Sequence, residues 1–229
     1  MNINAILVPK GAEYKAVCRG LQQINASNTP VFAIPMGVKP VTEYLEKWLK
    51  DGHLRELSQP KVLLMGICGS LSPRYSVGDV VLYENCVYKS ADNLLVNECD
   101  RAFTDFLYAN ISHPLSKVSS LTRDRLISLA SEKQDLGKIY NADVVDMEGF
   151  PALKILNEAG FAVAMLRVIS DDCQQDIPDL STAFSPDGSL KILPLAVELL
   201  RHPIAAIRLI KSSLIALKDL QKVSACLRF

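Results

Sequence analysis

The sequence predicts a three-layer α/β/α fold built on a mixed, mainly parallel central sheet. Three observations carry that expectation. Short runs rich in Val, Ile and Leu recur, and several are apolar at nearly every position, as strands covered on both faces are. Between them lie stretches of about ten residues with helical periodicity, and strands alternating with helices favour parallel crossovers. A chain of 229 residues with 49% apolar content suits one large domain better than two small ones.

Taken in order, strands are predicted over 3–8, 31–34, 61–65, 77–83, 142–147 and 161–169. Helices are predicted over 41–50, 98–109, 123–136, 150–159 and 191–200. In the first helix, Val41, Tyr44, Leu45, Trp48 and Leu49 share one face. Pro151 suits the first turn of the fourth, where its missing N–H costs nothing, and Gly160 ends that helix. Gly66 and Gly69 read as a tight turn after the 61–65 strand, letting backbone approach a ligand. Gly78-Asp79 reads as a hairpin-like return into a strand from Val80. With no repeat, low-complexity segment or dividing linker, residues 1–200 read as the main domain. Residues 201–229 read as an appended basic helix.

Charge and cysteine usage narrow the function classes. Lys and Arg balance Asp and Glu at 25 each, so nothing points to nucleic acid as a partner. Six cysteines without a C-x-x-C pair and three isolated histidines give no metal-ligand spacing. A reduced, cytoplasmic protein with no metal or resident cofactor is expected. MNINAILVPKG has neither the basic stretch nor the long apolar run of a signal peptide, and no apolar run is long enough to span a bilayer.

Two strand ends carry the chemistry. ADVVDMEGF (142–150) runs from an apolar strand into Asp146, Met147 and Glu148, and FAVAMLRVISDD (161–172) ends in Ser170, Asp171 and Asp172. Ligands of open α/β sheets bind at such carboxyl ends. For each acid alone there is a plainer reading: Glu148 caps the next helix, and Asp171 and Asp172 are solvated loop acids. Two acidic ends joined by one crossover favour a shared crevice. No strand is followed by G-x-G-x-x-G, which argues against a dinucleotide-binding dehydrogenase.

The order G-x-C-G-S-L (66–71), V-G-D-V-V (77–81), V-D-M-E-G (145–149) and R-V-I-S-D-D (167–172) resembles the nucleoside phosphorylase and nucleosidase superfamily. That superfamily includes purine nucleoside phosphorylases, uridine phosphorylases and methylthioadenosine nucleosidases. The resemblance spans roughly residues 3 to 200 and implies a phosphorylase-like fold that cleaves N-glycosidic bonds. Such cleavage needs a rigidly held sugar and a protonated leaving base. By the resemblance, Glu148 would grip the ribose hydroxyls, as a carboxylate accepting two hydrogen bonds can. Met147 would floor the sugar, and Gly66, Cys68 and Gly69 would wall the substrate. Asp171 would protonate a purine at N7, its pKa raised by burial or by Asp172, with Arg167 and Ser170 orienting it. An acid there argues against uridine. A homo-oligomer is implied as well.

The nucleophile stays open between phosphate and water. The family's phosphorylases hold phosphate at positions that are Leu64 and Ile67 here, and neither can bind it. Lys10, Ser70 or the amides near Gly11 and Gly69 would have to substitute. The nucleosidases use a glutamate after the first strand, and Glu13 meets that need if the loop holds one extra residue. Glu13 in the first turn of a surface helix is the equal alternative. A methylthioadenosine or adenosylhomocysteine nucleosidase is a second reading of the whole. A nucleoside-binding module without turnover is a third, though it would have no use for a proton donor at Asp171.

The tail, 191–229, holds seven basic residues against two acidic ones. HPIAAIRLIKSSLIALKDLQKV reads as an amphipathic helix with a stripe of Ile204, Ile207, Leu214 and Leu217, joined by Ile210 and Leu220. Such a helix either lies on the inner membrane face or packs on its own domain or a partner subunit. DIPDLSTAFSPDGSLK with LLRHPIAAIRLIKSS resembles the end of hopanoid-associated phosphorylases. That resemblance implies removal of adenine from adenosylhopane, a nucleoside with a bulky apolar 5′ group.

Overall fold

The computed structural model of the chain describes residues 2–23, 29–91, 93–180, 185 and 191–227. The P-D-G turn at 186–188 lies outside the described residues. Among the described residues, eight strands and seven helices follow one another. The first half holds β1 (Ala5–Pro9), α1 (Ala12–Gln22), β2 (Val31–Ile34), α2 (Val38–Lys50), β3 (Lys61–Ser70), β4 (Val80–Lys89) and β5 (Leu94–Glu98). Next come α3 (Arg101–Asn110), β6 (Leu115–Thr122), α4 (Ala130–Tyr140), β7 (Val144–Asp146) and α5 (Gly149–Glu158). The chain closes with β8 (Ala162–Asp171), α6 (Ile192–Arg201) and α7 (Pro203–Ser224).

The unbroken apolar runs are explained by alternation between two cores. Val62 and Leu64 of β3, with Val163 and Met165 of β8, pack under α2 and α5. Leu63 and Met65, with Ala164, Leu166 and Val168, pack under α1, α3 and α7. β3 and β8 therefore bury both faces, which gives the expected three layers. Parallel pairings outnumber antiparallel ones: β1 pairs parallel to β2 and β3, β3 to β8, and β6 to β4 and β7.

The strand order is β2-β1-β3-β7-β6-β4-β5, with β8 pairing both β3 and β4. That second pairing closes β3, β8, β4, β6 and β7 into a ring. β7 and β8 do not pair with each other. They flank β3 on either side, so the two acidic strand ends converge there.

Several expectations are corrected. Gly66 and Gly69 make no turn: β3 continues through them to Ser70, with a register shift against β8 between Cys68 and Gly69. Their glycine identity answers to packing, because a Cβ at Gly66 would collide with Arg167 Nη1 and Glu13 Oε2. A Cβ at Gly69 would lie 2.8 Å from Asp171 Oδ2. The return at Gly78-Asp79 does not form a hairpin with β3, since β4 pairs antiparallel to β8. The helix expected from 123 begins at Ala130, whose N–H is taken by Asp176 Oδ1 at 2.7 Å, a cap remote in sequence. Strands β5 and β6 and most of α1 were not anticipated.

Pro151 and Gly160 stand as expected, with Gly160 at φ +83° just past α5. The second half of α7 belongs to the core. Ala216, Leu220 and Val223 are fully buried against α1. The two helices cross where a Cβ at Gly20 would strike the Gln221 carbonyl oxygen and lie 2.7 Å from Ser224 Cβ. Among the described residues, no helix is long and apolar enough to cross a membrane.

Candidate active site

A cavity of about 170 Å³ opens where β3, β7 and β8 end. Glu13, Asp146, Glu148 and Asp171 all line it, as do Cys68, Gly69, Met147 and Ser170. The sequence reading thus gathers in one place, except for Gly66 and Arg167, which lie behind the wall.

Glu148 is held by the backbone and does not cap α5. Its Oε1 accepts from the Gly37 N–H at 2.9 Å, tying β7 to the loop before α2. The cap of α5 is Asp146, whose Oδ1 accepts from the Gly149 N–H at 3.1 Å and from Thr122 Oγ1 at 2.7 Å. Burial drives the Glu148 carboxyl up to about 7, with Asp146 adding to the shift and Arg167 opposing it.

Glu13 sits in the first turn of α1 and turns its carboxylate inward. Its Oε2 accepts from the Ile67 N–H at 2.8 Å. Burial raises this acid to about 8; Arg167 pulls it down and Glu148 pushes it up. The surface-helix reading of Glu13 gives way to a place in the cavity wall.

Arg167 does not orient Asp171. Its register partner across the ladder is Gly66, and the missing Cβ there admits the guanidinium between the other acids. Arg167 Nη2 lies 3.8 Å from Asp146 Oδ2, with both side chains inaccessible to solvent. Burial works against the arginine's charge, yet Asp146, Tyr83, Glu148 and Glu13 outweigh it and raise its pKa. None of its guanidinium nitrogens has a hydrogen-bond partner among the described residues. It acts as a sealed counter-charge to the acidic cavity.

Asp171 is held instead by Ser170 and Lys133. Ser170 Oγ lies 2.5 Å from Asp171 Oδ1 and 3.1 Å from the Cys68 carbonyl oxygen. Lys133 of α4, with no solvent exposure, pairs with Asp171 Oδ2 and donates to the Asp172 carbonyl at 2.9 Å. The charged neighbour of Asp171 is therefore a lysine; Asp172 turns away and accepts from the Gln174 N–H. Sequence reasoning missed Lys133. The signal was its place one turn before Leu136 on the inward face of α4. It also missed Met36 and the loop of Arg125, Leu126 and Ile127, which had been read as helix.

Of the substitutes considered for phosphate, Gly69 lines the cavity, and the side chains of Lys10 and Ser70 do not. Leu64 is in the core, Lys10 is exposed, and Ser70 Oγ bonds to the Ser72 carbonyl at 2.7 Å. Arg125 is the single cation among the cavity's described lining residues. The cavity sets several acids and an apolar wall around that arginine.

These features define an α/β fold with its acids gathered at converging strand ends. The family model of the phosphorylase superfamily matches residues 52–201. The chain belongs to that superfamily and is an enzyme of the nucleoside phosphorylase and nucleosidase kind. Solved structures agree on the fold. The 5′-methylthioadenosine/S-adenosylhomocysteine nucleosidase of Helicobacter pylori, with butyl-thio-DADMe-Immucillin-A, is 15% identical. The match covers 97% of each chain at a TM-score of 0.66. Futalosine hydrolase of the same organism is 14% identical over 92% of this chain and 96% of that one, at 0.63. The corresponding Campylobacter jejuni nucleosidase is 13% identical over 96% and 100%, at 0.63. No curated protein matches the chain closely enough to be called a relative.

Proposed function

We propose that the chain hydrolyses the N-glycosidic bond of an adenine nucleoside carrying an apolar 5′ group, with adenosylhopane as the candidate substrate. The observation that carries this reading is the meeting of Glu13, Glu148 and Asp171 in one cavity with a single lining cation. Glu148 holds the ribose hydroxyls. As the C1′–N9 bond breaks, its electrons pass to the purine and N7 takes a proton from Asp171. Lys133 Nζ, paired with Asp171 Oδ2, stabilises the carboxylate left once its proton has passed to the base. Glu13 removes a proton from water, and the resulting hydroxide adds to C1′. The apolar side chains of Met36, Ile67, Leu126 and Ile127 suit a hydrocarbon 5′ group. The tail's likeness to hopanoid-associated phosphorylases supports the polycyclic version of that group. A homo-oligomer is expected by family analogy, and a cytoplasmic enzyme without a cofactor from the cysteine and histidine usage.

The test is adenine release by purified protein from adenosine bearing a long apolar 5′ group, with and without phosphate. Release in phosphate-free buffer, lost in Asp171→Asn, supports the reading. Release only with phosphate makes the protein a phosphorylase and draws attention to Arg125. Faster turnover of methylthioadenosine points to the ordinary nucleosidase. Binding without release means a nucleoside-binding module.

A further inference from the structure

From Ile204 to Ile215, α7 carries large apolar side chains on its outward side, and α6 does the same. Leu193, Leu200 and Ile204 are 80%, 79% and 76% exposed, and Ile207, Leu214 and Ile215 are 55%, 61% and 49% exposed. Over the same stretch the fully buried residues of α7 are the small Ala206 and Ala216, with Leu209 and Leu217 half-buried beside them. A helix that serves its own core has these sizes the other way round. The outward hydrocarbon therefore serves something outside the domain.

Charge says what. Arg208, Lys211 and Lys218 are exposed on this same side, with Lys211 one turn from Ile207, Leu214 and Ile215. No carboxylate among the described residues pairs with these three cations. The two acids nearby are already matched within their helices, Glu198 to Arg201 at 2.8 Å and Asp219 to Lys222 at 2.5 Å.

We propose that this face docks the protein on an anionic lipid bilayer. Ile204, Ile207, Leu214 and Ile215 enter the boundary between headgroups and acyl chains. Arg208, Lys211 and Lys218 lay their stems along the hydrocarbon and their charges at the phosphates. A second copy of the chain fits worse. A two-fold interface sets a patch against itself, and here that would bring cations onto cations, with Glu198 and Asp219 already paired within their own helices. Leu220 and Val223, buried beside α1, anchor the surface half to the domain. The inference stands apart from the reading of the cavity.

Deleting the tail would remove core residues, so point variants of the full chain are the proper test. Co-sedimentation is measured with vesicles of equal phosphatidylglycerol and phosphatidylcholine, and with phosphatidylcholine alone. The wild type should bind the anionic vesicles and release as salt rises. Ile207→Ser with Leu214→Ser, and separately Lys211→Glu with Lys218→Glu, should lower partition at least about tenfold with melting temperature unchanged. Failure to bind anionic vesicles, equal binding to neutral ones, or binding indifferent to both variants overturns the proposal. So does sedimentation velocity showing that the serine variant turns an oligomer into monomers, which would make the face a subunit contact.

Discussion

Replacing Glu13 by Gln alters almost no volume, yet it should change how stability responds to pH. The carboxyl rises from an ordinary 4.5 to about 8 in the folded chain. Between those values the unfolded chain has lost this proton and the native chain keeps it. Stability from this group is thus full below about 4.5 and is lost as pH rises through about 8. A shift of that size sets a ceiling of about 5 kcal/mol. Glu13 faces an open cavity, so water screens part of it and about 2–3 kcal/mol should be seen. Glutamine keeps an acceptor oxygen for the Ile67 N–H but does not titrate, so the variant should gain on the wild type by that amount between pH 5 and pH 9. Urea unfolding followed by circular dichroism at the two pH values measures the gain directly. A gap constant to within about 0.5 kcal/mol would refute the reasoning, because it would mean the carboxyl titrates as a surface acid. In the proposed hydrolysis the wild-type rate should also climb through about pH 8, and the variant should lose at least about 100-fold.

Other substitutions probe the supports of the site. Gly66→Ala drives a methyl into the Arg167 and Glu13 side chains, and with Arg167 sealed it should cost about 1–3 kcal/mol by thermal melt. Lys133→Met leaves Asp171 without its partner and should cost about 3–5 kcal/mol at neutral pH. Adding Asp171→Asn to that variant should restore most of the loss, a coupling that a double-mutant cycle reads. Gly20→Ala meets backbone of α7, which cannot swing aside, and should lower the melting temperature by several degrees.

The strands most visible in the sequence are those buried on both faces, because burial there demands hydrocarbon at every position. β6 was hidden by its own chemistry. Its inward Ser120 and Thr122 are polar, and each is satisfied by a residue distant in sequence, Cys86 and Asp146 respectively. α1 was hidden by Gly20, a weak helix former required only because α7 crosses at that point. Gly66 and Gly69 looked like a turn since glycine usually signals one, whereas here side chains from β8 and α1 claim the space. In the site, Glu148 and Asp171 were legible because acids at strand ends are locally anomalous. Lys133 was not, because a lysine in a helix is ordinary until its carboxylate partner, 38 residues away, is known.

The closed ring of strands has a topological consequence for the cavity. In an open sheet, one sequence of ladders links any two strands, and a break anywhere along it frees them. Here β7 and β8 are linked twice, once through β3 and once through β6 and β4. A local opening along either route leaves the other intact. The spacing between Glu148 and Asp171 is redundantly tethered, and it persists through fluctuations that would splay a singly connected site.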